Sequence, residues 1–251
     1  VVSGTSDAAD ARYQALVEAG MVDPVADGVS APLASDLLDQ AAGRCLVTAV
    51  VEIPSAPKAW LAYGNWCYQQ GFHTKATRGT NVDLTGDHSM LAHLRFACKS
   101  YFQFLRLASN NTAGEMAFTS TTLRLLRMLV KFGADMQTEF TAGMQETPLE
   151  PWRTVVPQLL ARIDHPQPYV AGQVQSLLLR LAANDANLLV YDAVAGSLQK
   201  GVCTHNGSHG RVTKGLARLK DALVQSNGLL VSEVTELMEE MSRITILWDE
   251  Q

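Results

Sequence analysis

Apolar residues recur at alternating intervals of three and four along most of the chain, the spacing that lines up side chains on one face of an α-helix. In "DHSMLAHLRFACKSYFQFLRLAS" the stripe is Leu91, Leu94, Cys98, Tyr101 and Leu105, and Asp87 is placed to cap the helix start. "STTLRLLRMLVKFG" repeats the pattern with Leu123, Leu126, Leu129 and Val130 and ends on Gly133, a residue suited to stopping a helix. "PKAWLAYGNWCYQQG" puts Trp60, Tyr63, Gly64, Cys67 and Tyr68 on one face after Pro57, and proline fits a first helical turn. Stretches that alternate apolar and polar are short and isolated, so the pattern predicts an all-α chain.

Residues 147 to 182 read as two amphipathic helices joined by a turn, with Pro148, Pro151, Pro157, Pro166 and Pro168 along them. Pro151 is read as opening the first helix, Pro157 as bending it and Pro166 as ending it, with Asp164 in the turn. Trp152, Val155, Val156, Leu159, Leu160 and Ile163 are expected to face Val170, Val174, Leu177, Leu178 and Leu181 across one seam. Two further helices are predicted on either side of "NG" at 227 and 228. The last of them is expected to turn Leu237, Met241, Ile244 and Trp248 inward and Glu236, Glu239 and Glu240 outward. About nine to eleven helices with short connections predict an α-solenoid of antiparallel helix pairs. Trp60, Tyr63, Gly64 and Cys67 fall at the spacing of a tetratricopeptide first helix, whereas the proline-containing pair has the character of a HEAT repeat.

Composition adds boundaries rather than detail. A chain of 251 residues with 47% hydrophobic and 18% charged residues can bury a sizeable core. A formal net charge of −5 gives no general attraction to nucleic acid or to an anionic membrane, and neither is expected as a direct partner. No apolar run reaches the roughly 18 residues of a membrane span, and the first residues lack the order of a signal peptide. The expected compartment is the cytoplasm, with the nucleus as second choice. Cys45, Cys67, Cys98 and Cys203 have no C-x-x-C spacing and are read as reduced.

Chemistry is sparse. Cys203, His205 and His209 form C-x-H-x3-H, three ligand types that zinc accepts, but a fourth ligand and the standard spacings are missing, so a glycine-rich connection is preferred and no metal is expected. No nucleophile elbow, phosphate-binding loop, zinc-protease helix or kinase triplet occurs. No catalytic residue is assigned. Arg124, Arg127 and Lys131 share a helical face suited to an acidic partner or a polyphosphate, although the solvated flank of a core helix is the preferred reading.

"TLRLLRMLVK", "PWRTVVPQLLARIDHP" and the closing "RITILWDE" resemble the C-terminal half of the FAT domain of phosphatidylinositol 3-kinase-related protein kinases. "AWLAYGNWCYQQG" and "KSYFQFLRLAS" look like their counterparts in the same family. The likeness covers roughly residues 57 to 251 and is nearest to the member that drives nonsense-mediated mRNA decay, with the target-of-rapamycin kinase as its rival. Loops 72 to 88 and 199 to 211 are shorter than in animal decay kinases, and Ala171 stands where a basic residue is frequent.

The resemblance implies tetratricopeptide-like repeats over 1–86 and HEAT-like repeats over 87–251, ending before an FKBP12-rapamycin-binding-like region. It implies a scaffold that supports and regulates a serine/threonine kinase domain outside this chain. Implied partners are that domain, the FKBP12-rapamycin-binding-like region and the regulatory subunits of the decay kinase complex. Lys58 occupies the place of a lysine that looks like a ligand of inositol hexakisphosphate in related kinases, so it is the one cofactor-contact residue implied. Binding is expected only in a fuller FAT domain. A free-standing helical-repeat adaptor is the alternative outside the family.

Overall fold

The computed structural model describes residues 4–22, 34–77, 88–108, 115–198 and 209–249. Among these residues there are helices and no strands, so the all-α expectation holds. The chain divides into two compact units, Val1–Pro148 and Leu149–Gln251.

The first unit contains α1 (Gly4–Glu18), α2 (Ala34–Glu52), α3 (Pro57–Thr77), α4 (His88–Ala108), α5 (Glu115–Phe132) and α6 (Gln137–Glu146). At the end of α1 Gly20 takes φ +61°, the left-handed conformation that closes a helix at least cost in glycine. The Met21 N–H donates to the Leu16 carbonyl and the Gly20 N–H to that of Val17, while Lys99 Nζ of α4 donates to the carbonyls of Ala19 and Gly20 at 3.1 and 2.9 Å. The following corner is pinned where Trp60 Nε1 donates to the Pro54 carbonyl at 2.8 Å.

Helix order in the stack follows from which residues meet. Gly64 of α3 lies against Ser100 and Tyr101 of α4, and Gly71 against Leu94 and Met90; positions rise on one helix as they fall on the other, so α3 and α4 are antiparallel. Between α4 and α6 Arg95 meets Glu139 and Arg106 meets Glu146, and between α3 and α5 Asn65 meets Arg124 and Phe72 meets Phe132. Both of these pairs run parallel. Helices one apart are antiparallel and helices two apart are parallel, the arithmetic of a two-layer helical repeat.

Burial follows the predicted stripes with one shift. Leu94, Cys98, Tyr101 and Leu105 of α4 are fully buried, as are Tyr63 and Cys67 of α3. On α5 the buried set is Thr121, Thr122, Leu125, Leu126, Met128 and Leu129, whereas Leu123 is exposed. The predicted face was rotated because it counted apolar residues only. Thr122 hides by donating its hydroxyl to the carbonyls of Phe118 and Thr119 at 3.0 and 3.1 Å, which lets a polar residue occupy a core position. Gly133 follows the last residue of α5, its N–H bonded to the Leu129 carbonyl at 2.9 Å, as a helix stop requires. The proposed cap Asp87 lies outside the described residues.

The second unit contains α7 (Glu150–Arg153), α8 (Val156–Leu160), α9 (Pro168–Asn184), a 3-10 turn (Ala186–Leu188), α10 (Val190–Leu198) and α11 (His209–Asp249). Ten of the eleven residues predicted for the seam are buried: Trp152, Val155, Val156, Leu159 and Ile163 on one side, and Val170, Val174, Leu177, Leu178 and Leu181 on the other. Leu160 is half-buried. The prolines act differently from the prediction, because the segment expected as one bent helix is two short ones. Pro151 and Pro157 each stand in a first turn, where the missing N–H costs nothing; Pro157 starts α8 rather than bending a longer helix. Pro166 does not end a helix either, since α8 stops at Leu160. Pro168 opens α9, whose first turn is capped by Gln167 Oε1 accepting from the Val170 N–H at 2.8 Å.

Candidate functional site

Two surfaces gather the chemistry of the described residues, and each starts from one helix. On the first, the outer side of α3 offers Tyr68 and Phe72, whose rings lie 4.6 Å apart. The cations of α5 stack on them. The Arg124 guanidinium lies 5.5 Å from the Tyr68 ring centre, that of Arg127 4.9 Å and the Lys131 ammonium 5.8 Å from that of Phe72, within range of a cation–π attraction.

Arg124 is more than a solvated flank. It donates to Asn65 Oδ1 and, at 3.3 Å, to the Tyr101 hydroxyl, which itself donates to Asn65 Oδ1 at 3.0 Å. Burial pushes the Tyr101 phenol well above its ordinary value, and the neighbouring Arg124 charge acts in the opposite direction. The thiol of Cys98 is also pushed up, first by burial and then by Glu139, which leaves an unreactive thiol in the core. Arg127 and Lys131 are exposed as the flank reading expects, whereas Arg124 is half-buried.

Lys58 is exposed at the second position of α3. Seven residues separate it from Asn65, so the level at which Arg124 is bonded lies about 10 Å further along the helix axis. The α5 cations therefore do not converge on Lys58. A polyphosphate needs several convergent charges, and the described cations of α5 do not supply them beside Lys58. The side chain of Lys75 and all of Arg78, the next lysine and arginine along the chain, lie outside the described residues.

The second surface is α11. Its proximal half is anchored: the Gly215 N–H donates to both carboxylate oxygens of Asp164, at 3.0 and 3.2 Å. A side chain at 215 would strike Ile163 Cγ1 at 2.7 Å, so the backbone approaches the turn as only glycine allows. Desolvation raises the pKa of Asp164, while the Gly215 N–H and the charges of Arg218 and Lys214 act to lower it. Asn227, with φ −143° and ψ 52°, interrupts the helix, where the sequence placed a boundary. Ser226 Oγ bonds back to the Ala222 carbonyl at 3.1 Å and Gly228 follows, a combination that loosens helical bonding.

Beyond the interruption the sequence expectation is overturned. Leu237, Met241 and Ile244, predicted inward, are exposed by 55%, 51% and 58%. Amphipathic spacing identified the apolar face, and these three side chains remain exposed among the described residues. The side chain of Trp248 and the loop carrying Cys203 and His205 lie outside the described residues, as does the side chain of His209. Among the described residues no group of three or more His, Cys, Asp or Glu could hold a metal, and no helix is long and apolar enough to cross a membrane. An open cleft of about 270 Å³ between α1 and α2 is lined by Asp10, Tyr13, Arg44, Val47, Thr48 and Glu52 among others; Asp10, Arg44, Thr48 and Glu52 are exposed there.

No family model matches the chain. It is 25% identical over 222 residues to "Serine/threonine-protein kinase SMG1" of Danio rerio, a match that covers 62% of this chain and 6% of that kinase. It is 31% identical over 176 residues to "Serine/threonine-protein kinase Smg1" of Drosophila melanogaster, covering 61% and 6%. To "Serine/threonine-protein kinase mTor" of Drosophila melanogaster it is 26% identical over 227 residues, covering 84% and 9%. The chain thus spans less than a tenth of the length of these relatives.

Proposed function

From a chain homologous to a segment of the phosphatidylinositol 3-kinase-related serine/threonine kinases, we propose that it is part of the FAT scaffold of a kinase acting in nonsense-mediated mRNA decay. The observation that carries this reading is similarity to SMG1 kinases of animals and of Dictyostelium discoideum. Stacked helices within the first unit support it physically: α3 to α6 each pack on neighbours there, so displacement of one is passed along packed side chains to the next. The kinase domain and FKBP12-rapamycin-binding-like region of the same polypeptide, and the regulatory subunits of the decay complex, are the proposed partners, in the cytoplasm first and the nucleus second.

Lys58 is proposed as one contact for inositol hexakisphosphate, with the remaining charge supplied by the longer polypeptide. Its exposure at a helix start supports access. A lysine ammonium is a mobile point charge suited to polyphosphate but too weak alone to hold it. Calorimetry on the longer protein should show binding that weakens with Lys58→Glu; unchanged affinity removes Lys58 from the site.

The transcript tests the main reading. A serine/threonine kinase domain should be encoded on the C-terminal side of residue 251, and a stop codon directly after it overturns the proposal. Depleting the transcript should lengthen the half-life of a reporter mRNA with a premature stop codon. Normal reporter decay with altered growth signalling would instead assign the segment to a target-of-rapamycin kinase, a reading favoured by the wider coverage of that match.

A further inference from the structure

Asn227 combines two properties that no other asparagine among the described residues shares. It is followed by a glycine, Gly228, and its backbone is not helical. Asn65 lies within α3 with its Oδ1 held by Tyr101 and Arg124, Asn184 closes α9 ahead of Asp185, and Asn187 precedes Leu188 in the 3-10 turn. In an unbroken helix the N–H that follows an asparagine is tied to the carbonyl four residues back, which holds that nitrogen away from the side chain. At Asn227 ψ is 52° against about −42° in a helix, so the peptide joining it to Gly228 is turned by about 90° out of the helical array. Gly228 has no Cβ to shield its nitrogen, and even a side chain placed there would meet nothing within 4 Å. Among the described residues the Asn227 amide bonds only to its neighbour, Nδ2 donating to Ser226 Oγ at 3.0 Å, so no other helix holds it away from its own main chain.

We propose that Asn227 is a site of self-modification, its side-chain amide becoming a carboxylate through a cyclic imide formed with Gly228. Hydroxide removes the Gly228 amide proton and the nitrogen attacks Asn227 Cγ. A C–N bond forms, the Cγ–Nδ2 bond breaks, and the departing NH2 takes a proton from water to leave as ammonia, which returns the hydroxide. Water then opens the imide at either carbonyl. Cleavage at Cγ gives aspartate; cleavage at the main-chain carbonyl gives isoaspartate, in which the chain runs on through Cγ and is one methylene longer. Asparagine is among the residues that limit the chemical durability of proteins, and here the break in α11 selects which one reacts. Either product places a new carboxylate where two helical stretches meet. The inference goes beyond the kinase reading and does not depend on it.

The test incubates the whole 251-residue protein at mildly alkaline pH and cleaves it with trypsin. Residues 221–243 leave as one peptide in which Asn227 is the only asparagine, and residues 201–211 as another that carries the second Asn-Gly pair, Asn206–Gly207. Mass spectrometry should show peptide 221–243 gaining the mass that separates an acid from an amide, faster as pH rises, and a methyltransferase specific for isoaspartate should label it. An asparagine held in an intact helix reacts only after local opening, so the native rate at Asn227 should lie within about tenfold of that in the same chain unfolded in guanidinium chloride. Asn227→Gln should remove the gain from this peptide and Gly228→Ala should slow it by at least about tenfold, both without effect on residues 201–211. Circular dichroism checks that each variant keeps its helix content, and the rate comparison needs no variant. A peptide 221–243 that stays unmodified while 201–211 changes, or a native rate more than about tenfold below the unfolded one, overturns the proposal. So does aspartate without isoaspartate, since water would then have hydrolysed the amide directly.

Discussion

Gly143 and Gly172 should respond to the same substitution with opposite signs. Gly143 is buried in α6, and a methyl carbon there would overlap three atoms of the Phe102 ring, the farthest only 2.5 Å away. Ordinary carbon contacts are about 3.5–4.0 Å, so the ring or the helix must move by more than about 1 Å. Phe102 has little room to move: it is 2% exposed and packs edge-on against Phe140 at 6.0 Å. Overpacking of this kind costs about 1–3 kcal/mol, and replacing a helical glycine with alanine recovers about 1 kcal/mol. For so severe an overlap the upper part of the range applies, and Gly143→Ala should destabilise by about 1–2 kcal/mol. At Gly172, within α9, an added methyl meets nothing within 4 Å, so Gly172→Ala should stabilise by about 0.5–1 kcal/mol. Urea denaturation followed by circular dichroism should move the midpoint down for the first and up for the second. If both rise, the Phe102 contact does not confine the α4–α6 interface and the reasoning fails.

Arg124→Met keeps the stem but removes the charged donor shared by Asn65 Oδ1 and the Tyr101 hydroxyl, which keep only their bond to each other, and should cost about 1–3 kcal/mol, whereas Arg127→Met, which loses a stacking contact at an exposed site, should cost under about 1 kcal/mol; equal losses in chemical denaturation would refute the division. Asp164 has a folded-state pKa raised from 3.8. Its carboxyl thus favours the fold below the unfolded value, and that contribution is lost as pH rises through the folded one. The stability of the natural protein relative to Asp164→Asn should therefore fall across that acidic window, and thermal melts showing it rise instead would contradict the burial argument.

Much of the architecture could be read from spacing because apolar periodicity is a direct record of burial. The α4 stripe, the seam of the proline pair and the interruption at Asn227 were all legible this way. What escaped was decided by groups that satisfy themselves. Thr122 reaches the core by bonding to its own helix, so a search for apolar positions turned the α5 face toward Leu123. Pro157 has the same residue-level preference whether it bends one helix or begins another, and only the packing of Val156 and Leu159 selects the second. The distal half of α11 shows another limit: spacing reports that a face is apolar but not whether its cover belongs to the same chain. The stacking of Arg124 and Arg127 on Tyr68 and Phe72 had a partial signal, since both sets recur on single helical faces, but which helices become neighbours is a tertiary fact.

The break at Asn227 makes the end of α11 a lever. The arm from Gly228 to Asp249 contains 22 residues and is about 33 Å long. Turning it by about 10° at the single non-helical residue carries its tip through about 6 Å, while the fulcrum itself hardly moves. On the short side, the carboxylate of Asp164 holds Gly215, so torque applied at Met241 or Ile244 is resisted twelve residues before the hinge. A load on the long arm thus arrives at the proline turn as a small displacement with a large force, and a one-residue change at the hinge, such as Asn227→Ala, would replace the joint with a strut.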